Sequence, residues 1–157
     1  MGLHKRAAEL YGDSELVLSG DYPDTSGIEA AFNDAVKWLH DKRVFGADML
    51  REKVIDSLVK ETTAFLSKGI QQGLEESAIS DTMVDSLRES VGVFSGFKTF
   101  HEMKEAASML LDEAGNIKPF EQYYKDIQTL NDTYNKFYLK AEYDFTVSSS
   151  TMAARWE

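Results

Sequence analysis

Cysteine is absent from the chain. Disulfides, thiolate metal sites and cysteine nucleophiles are therefore excluded, and stability has to come from packing. Proline is scarce, with only Pro23 and Pro119, so long stretches are free to run as uninterrupted helix. Positive charge is also short: 17 Lys and Arg face 27 Asp and Glu, a formal net charge of -10. Nucleic-acid affinity rests largely on Lys and Arg displacing counterions, so direct nucleic-acid binding is not expected. No apolar run approaches the roughly 18 residues a membrane-spanning helix needs. Met1-Gly2-Leu3-His4-Lys5-Arg6 is basic but leads into Ala7-Ala8-Glu9-Leu10, too polar for a signal peptide. The expectation is a soluble protein made in a cytoplasm, with no membrane partner.

What is present is an ordinary globular composition, 43% hydrophobic and 28% charged over 157 residues. A chain of this length buries roughly 70% of the surface it would expose unfolded, enough for a real core. Apolar residues recur every three or four positions more often than in alternation, which predicts an all-α fold. The expected architecture is an irregular bundle of about five to six amphipathic helices spanning residues 26–157, preceded by a loose N-terminal arm over residues 1–25. Gly12, Gly20, Pro23 and Gly27 give that arm its turn-forming character.

Ser26-Gly27-Ile28-Glu29 fits a capping box, followed by the stripe Ile28, Ala31, Phe32, Ala35, Val36 and Leu39. Asp48 is a candidate cap for a second helix with Leu50, Val54, Leu58, Phe65 and Leu66 on its buried side, weakened at its end by Gly69 and Gly73. Ser80 or Asp81 caps a third, with Val84, Leu87, Val91 and Phe94. Ser95-Gly96 predicts a break or kink, and Thr99-Phe100-His101-Glu102 a fresh capping box opening a helix that ends at Gly115-Asn116. Pro119 suits the first turn of a further helix with Phe120, Tyr123, Tyr124, Ile127 and Leu130, pausing near Asn131-Asp132. The last helix runs from about Tyr134 to Trp156 with Phe137, Ala141, Phe145, Ser148 and Met152 along one side.

Motifs of chemistry are wanting. His4, His40 and His101 lack zinc-helix spacing and read as surface residues. Residues 111–117 resemble a calcium loop only until Gly115 is set at loop position six, which puts Leu110 where a carboxylate is required; a helix end and turn explains them better. Glu75-Glu76 and Asp112-Glu113 are sequence neighbours pointing apart on a helix, unlike a general acid–base pair. Ser148-Ser149-Ser150-Thr151 lacks a nucleophile elbow, and no phosphate loop occurs. No catalytic residue, cofactor site or metal site is expected. Phe120, Tyr123, Tyr124, Tyr134, Phe137, Tyr138, Tyr143 and Phe145 crowd the C-terminal third, as core or as protein-interface anchors.

Several blocks together look familiar. They are Val93-Phe94-Ser95-Gly96-Phe97-Lys98-Thr99-Phe100, Leu110 to Gly115, Asn131-Asp132-Thr133-Tyr134-Asn135, Leu139-Lys140-Ala141-Glu142-Tyr143-Asp144 and Met152-Ala153-Ala154-Arg155-Trp156. Over roughly Ser80 to Trp156 the chain resembles the phage Mu F-like minor head, or head-morphogenesis, protein family, especially members from phages and prophages of Bacteroidetes. The resemblance implies the N-terminal part of a structural, non-enzymatic minor head protein of a tailed bacteriophage. Such a protein binds the portal or capsid interior during head assembly, DNA packaging or ejection. Implied partners are the portal protein or other head proteins, with self-association alongside. The implied location is the phage head interior, and the host cytoplasm during assembly. Family members usually continue past the tryptophan helix into a region with His and Cys residues, so no C-terminal functional residue is carried over. Phe137, Glu142, Tyr143, Arg155 and Trp156 are the candidate partner contacts. A generic cytosolic helical adaptor or regulatory protein-binding domain is the alternative.

Overall fold

The computed structural model describes residues 22–74 and 80–156. Among these the fold is all-α: α1 (Ser26–Lys42), a 3-10 turn (Ala47–Arg51), α2 (Lys53–Gly73), α3 (Asp81–Ser108), and α4 (Phe120–Asp132) running through a π segment (Thr133–Phe137) into α5 (Tyr138–Trp156). That makes four long rods, the last formed by α4, the π segment and α5 without a loop between them. The expected count was slightly higher because the Ser95-Gly96 pair and the Thr99 box were read as a boundary. Both lie inside α3, where one helical glycine costs only about 1 kcal/mol and Ser95 and Thr99 are buried against neighbouring helices. No described helix is long and apolar enough to cross a membrane.

α1 buries the expected stripe, with Ile28, Ala31, Phe32, Ala35, Val36 and Leu39 all in the core. It starts at the expected residue for a different reason. Ser26 does not accept a cap bond; its hydroxyl and its N–H both donate to the Asp24 carboxylate, at 2.6 and 3.1 Å. Of the arm, residues 22–25 are described: the Tyr22 hydroxyl donates to Asp144 at 2.8 Å and its ring meets Tyr143 edge-on. The rest of the arm, residues 1–21, lies outside the described residues.

α2 is the central rod and packs against α1, α3 and α5. It opens at Lys53 after Glu52, and the segment around Asp48 is the 3-10 turn instead of the start of a helix. Gly69 and Gly73 do more than end it. Each sits where α5 crosses, with Tyr143 O and Thr146 against Gly69, and Val147 O, Ser150 and Thr151 against Gly73. Side chains there would hold the two backbones apart, so the Gly-x-x-x-Gly spacing sets the closeness of the crossing.

Ser80 caps α3 as expected, accepting the Met83 N–H at 3.2 Å. α3 stops at Ser108, earlier than Gly115-Asn116. Past that point Leu110 dives into the core and residues 111–117 close a tight turn bridged between Leu111 and Ile117. Asp112 holds this turn by accepting N–H groups of Ala114 and Asn116, each at 2.9 Å, and Gly115 supplies the positive φ of 84°. Its carboxylate is thus engaged with backbone. Pro119 is the residue just before α4, one position earlier than expected.

Candidate functional site

Four polar residues on α3, Ser95, Lys98, Thr99 and Glu102, recur at helical spacing and are all buried. Burying a charge is costly unless it is paired, so their partners decide what the site is. Lys98 Nζ donates to Glu142 Oε1 of α5 at 2.6 Å and to the Tyr134 carbonyl at 2.6 Å. Asn135 Nδ2 donates to Glu102 Oε2 at 2.6 Å and to Asn131 Oδ1 at 2.9 Å.

The π segment makes these contacts possible. In it the Tyr138 N–H reaches back five residues to the Thr133 carbonyl. The wider turn brings Asn135 inside and leaves the Tyr134 carbonyl accepting from Lys98. The pause expected near Asn131-Asp132 is this π turn, and the helix passes through it unbroken.

Two carboxyls thus share one cation. Burial pushes Glu102 up to about 7, against the pull of the Lys98 charge and the Asn135 hydrogen bond. Burial likewise pushes Glu142 up to about 7, again opposed by Lys98. Direct contact with the ammonium belongs to Glu142, while Glu102 Oε1 finds no hydrogen-bond partner among the described residues. Of the two, Glu102 is therefore the better holder of a proton. Lys98, Glu102 and Glu142 are each no more than 6% exposed, so the cluster is an internal lock between α3 and the last rod.

Beside it, between α2, α3 and α5, lies a half-open apolar groove of about 180 Å³ walled by Leu66, Ile70, Leu87, Val91, Phe94 and Phe145. Glu142 and Ser150 form its polar edge. Among the described residues no group of three or more His, Asp or Glu is placed to hold a metal ion.

The five candidate contact residues separate. Phe137 is 72% exposed and Arg155 is exposed. Glu142 and Tyr143 are interior, the first on Lys98, the second donating its hydroxyl to Gln72 at 2.6 Å and packed on Phe65. Both are buried and bonded within the chain. The Trp156 side chain lies outside the described residues. The expected stripe of the last helix is likewise rotated, since Phe137 and Met152 face outward while Leu139, Tyr143, Val147 and Ser150 are buried. Glu142 and Asp144 point in and find partners there.

Sequence reasoning missed Lys98, Glu102 and Asn135. The signal was available as the i, i+3, i+4, i+7 polar stripe Ser95, Lys98, Thr99, Glu102, which the supposed break at Gly96 cut in two.

No protein-family model, curated protein or solved structure matches the chain.

Proposed function

We propose that the chain is an architectural, non-enzymatic module of a tailed-phage head, which binds the portal or the capsid interior during head assembly, DNA packaging or ejection. The observation that carries this reading is where the resembling blocks lie. The Phe94-Ser95-Gly96-Phe97-Lys98 block and the Glu142-Tyr143-Asp144 block, far apart in sequence, meet through the Lys98–Glu142 ion pair. Residues that carry the family likeness thus join helices, as befits a protein whose work is to hold a shape. Lys98 and Glu142 pair directly and, with Glu102, are almost wholly buried, which suits a scaffold better than a catalyst needing substrate access.

The face offered to the portal is the outward side of α5 and the turn before it, where Phe137, Met152 and Arg155 recur at helical spacing. Aromatic residues, Met and Arg are all enriched at protein interfaces. Co-purification with the cognate portal at low salt tests the proposal. Retention of the wild-type chain and loss with Phe137→Ser plus Arg155→Glu, both folded by circular dichroism, is the expected result. Clean failure of the wild-type chain to bind counts against the proposal.

A further inference from the structure

α3 buries one side through Val91, Ser95, Lys98, Glu102 and Ala106. The opposite side carries Glu89, Val93, Gly96, Phe97, Phe100 and Lys104, which at about 100° per residue fall within one arc of roughly 100°. Val93 is 55% and Phe97 64% exposed, large values for apolar side chains at the middle of a long helix. Gly92 and Gly96 repeat the Gly-x-x-x-Gly spacing of Gly69 and Gly73. On α2 that spacing seats α5, whereas a Cβ built at Gly92 or Gly96 meets nothing within 4 Å among the described residues. Ala47 and Leu50 of the 3-10 turn flank Gly96, Phe97 and Phe100, leaving a shallow apolar depression of about 330 Å³ over Gly96.

We propose that this face docks on the same face of a second copy of the chain, the two α3 helices antiparallel about a two-fold axis between Gly96 and Phe97. The argument is self-complementarity. Antiparallel helices about that point pair residues equally far from it on either side. Glu89 then meets the partner's Lys104, Val93 meets the partner's Phe100, and Phe97 lies over the partner's Gly96. Each end gains an opposite-charge pair, and the largest exposed ring lies over the residue with no side chain. A parallel pairing would set Glu89 on the partner's Glu89 and Lys104 on the partner's Lys104. One helix pair buries less than the roughly 1,600 Å² of a standard stable interface, so the association is weak and concentration-dependent. The inference rests on α3 and the 3-10 turn beside it and stands apart from the portal-binding proposal.

Sedimentation equilibrium of the whole chain, from roughly 10 µM to 1 mM, is the test, since interfaces this small commonly fall in that affinity range. A monomer–dimer equilibrium is expected. Phe97→Asp, at an exposed position that folding does not need, should weaken it at least about ten-fold, as loss of a central aromatic does. Glu89→Lys and Lys104→Glu should each weaken it by about three-fold, and the double variant should restore it, as expected for rim charge pairs. A chain that stays monomeric at the highest concentration overturns the inference. So does a dimer that Phe97→Asp leaves intact, or one indifferent to the single charge reversals.

Discussion

Substituting alanine for Gly73 probes the α2–α5 crossing at its tightest point. The new Cβ would stand 2.4 Å from the Val147 carbonyl oxygen, 2.7 Å from Ser150 Cβ and 3.2 Å from the Thr151 nitrogen. Two of these are backbone atoms of a helix, which cannot step aside as a flexible side chain can. The crossing must open by roughly 1 Å, loosening the close packing on which helix contacts depend. The bond from Thr151 Oγ1 to the Gly73 carbonyl, 3.1 Å long, stretches with it. Overpacking of this kind costs about 1–3 kcal/mol, against up to about 1 kcal/mol gained by replacing a helical glycine. A net loss of about 1–2 kcal/mol is expected, which at a urea m-value of about 2 kcal/mol/M lowers the midpoint by about 0.5–1 M. Gly92→Ala is the control: with open space around it among the described residues, only the helix gain of about 0.5–1 kcal/mol applies and the midpoint should rise. Urea unfolding followed by far-ultraviolet circular dichroism, at low protein concentration, reads both. If Gly73→Ala proves as stable as the wild type, the crossing is not set by the absence of that side chain and the reasoning fails.

Lys98→Met removes the cation between two buried carboxyls and should cost about 3–5 kcal/mol in urea unfolding, with much of it recovered in Lys98→Met plus Glu142→Leu. Glu102 is held up to about 7 when folded, against an ordinary value of 4.5, so the unfolded chain loses this proton first as pH rises. Its contribution is therefore full below about 4.5 and lost as pH climbs through about 7; Glu102→Gln should show a smaller fall in stability than the wild type between those values, and an equal fall refutes the assignment. Gly115→Ala places a side chain at φ 84° and should lower stability by about 1–2 kcal/mol, seen as a drop in melting temperature without loss of helix content.

Much of the fold was legible because amphipathic periodicity is a physical requirement wherever a helix lies on a core. All six stripe residues of α1 are buried, and Tyr123, Ile127 and Leu130 of α4 face inward as their spacing demands. Ser80 was readable as a cap because few side chains accept an orphan N–H so well. The failures share one cause. Local signals for stopping a helix, such as Ser95-Gly96 and the Thr99 box, are weak beside the tertiary packing that carries α3 straight through them. The rotated face of α5 has a related origin, since nothing local to Glu142 says that a lysine 44 positions earlier will meet it inside. For the same reason Phe137 and Arg155 remain the outward-facing pair of the candidate contacts, while Glu142 and Tyr143 serve the interior.

The last rod joins two neighbourhoods with no loop between them: α4 lies against α1 and α3, and α5 against α2 and α3. A loop would let the two halves reorient independently. Here a twist applied near Arg155 travels along one continuous hydrogen-bonded shaft toward Phe120, and the only widened turn on its way is the one Lys98 clamps through the Tyr134 carbonyl. The clamp sits where the shaft widens, so breaking it should loosen the coupling of the two ends before it unfolds either of them.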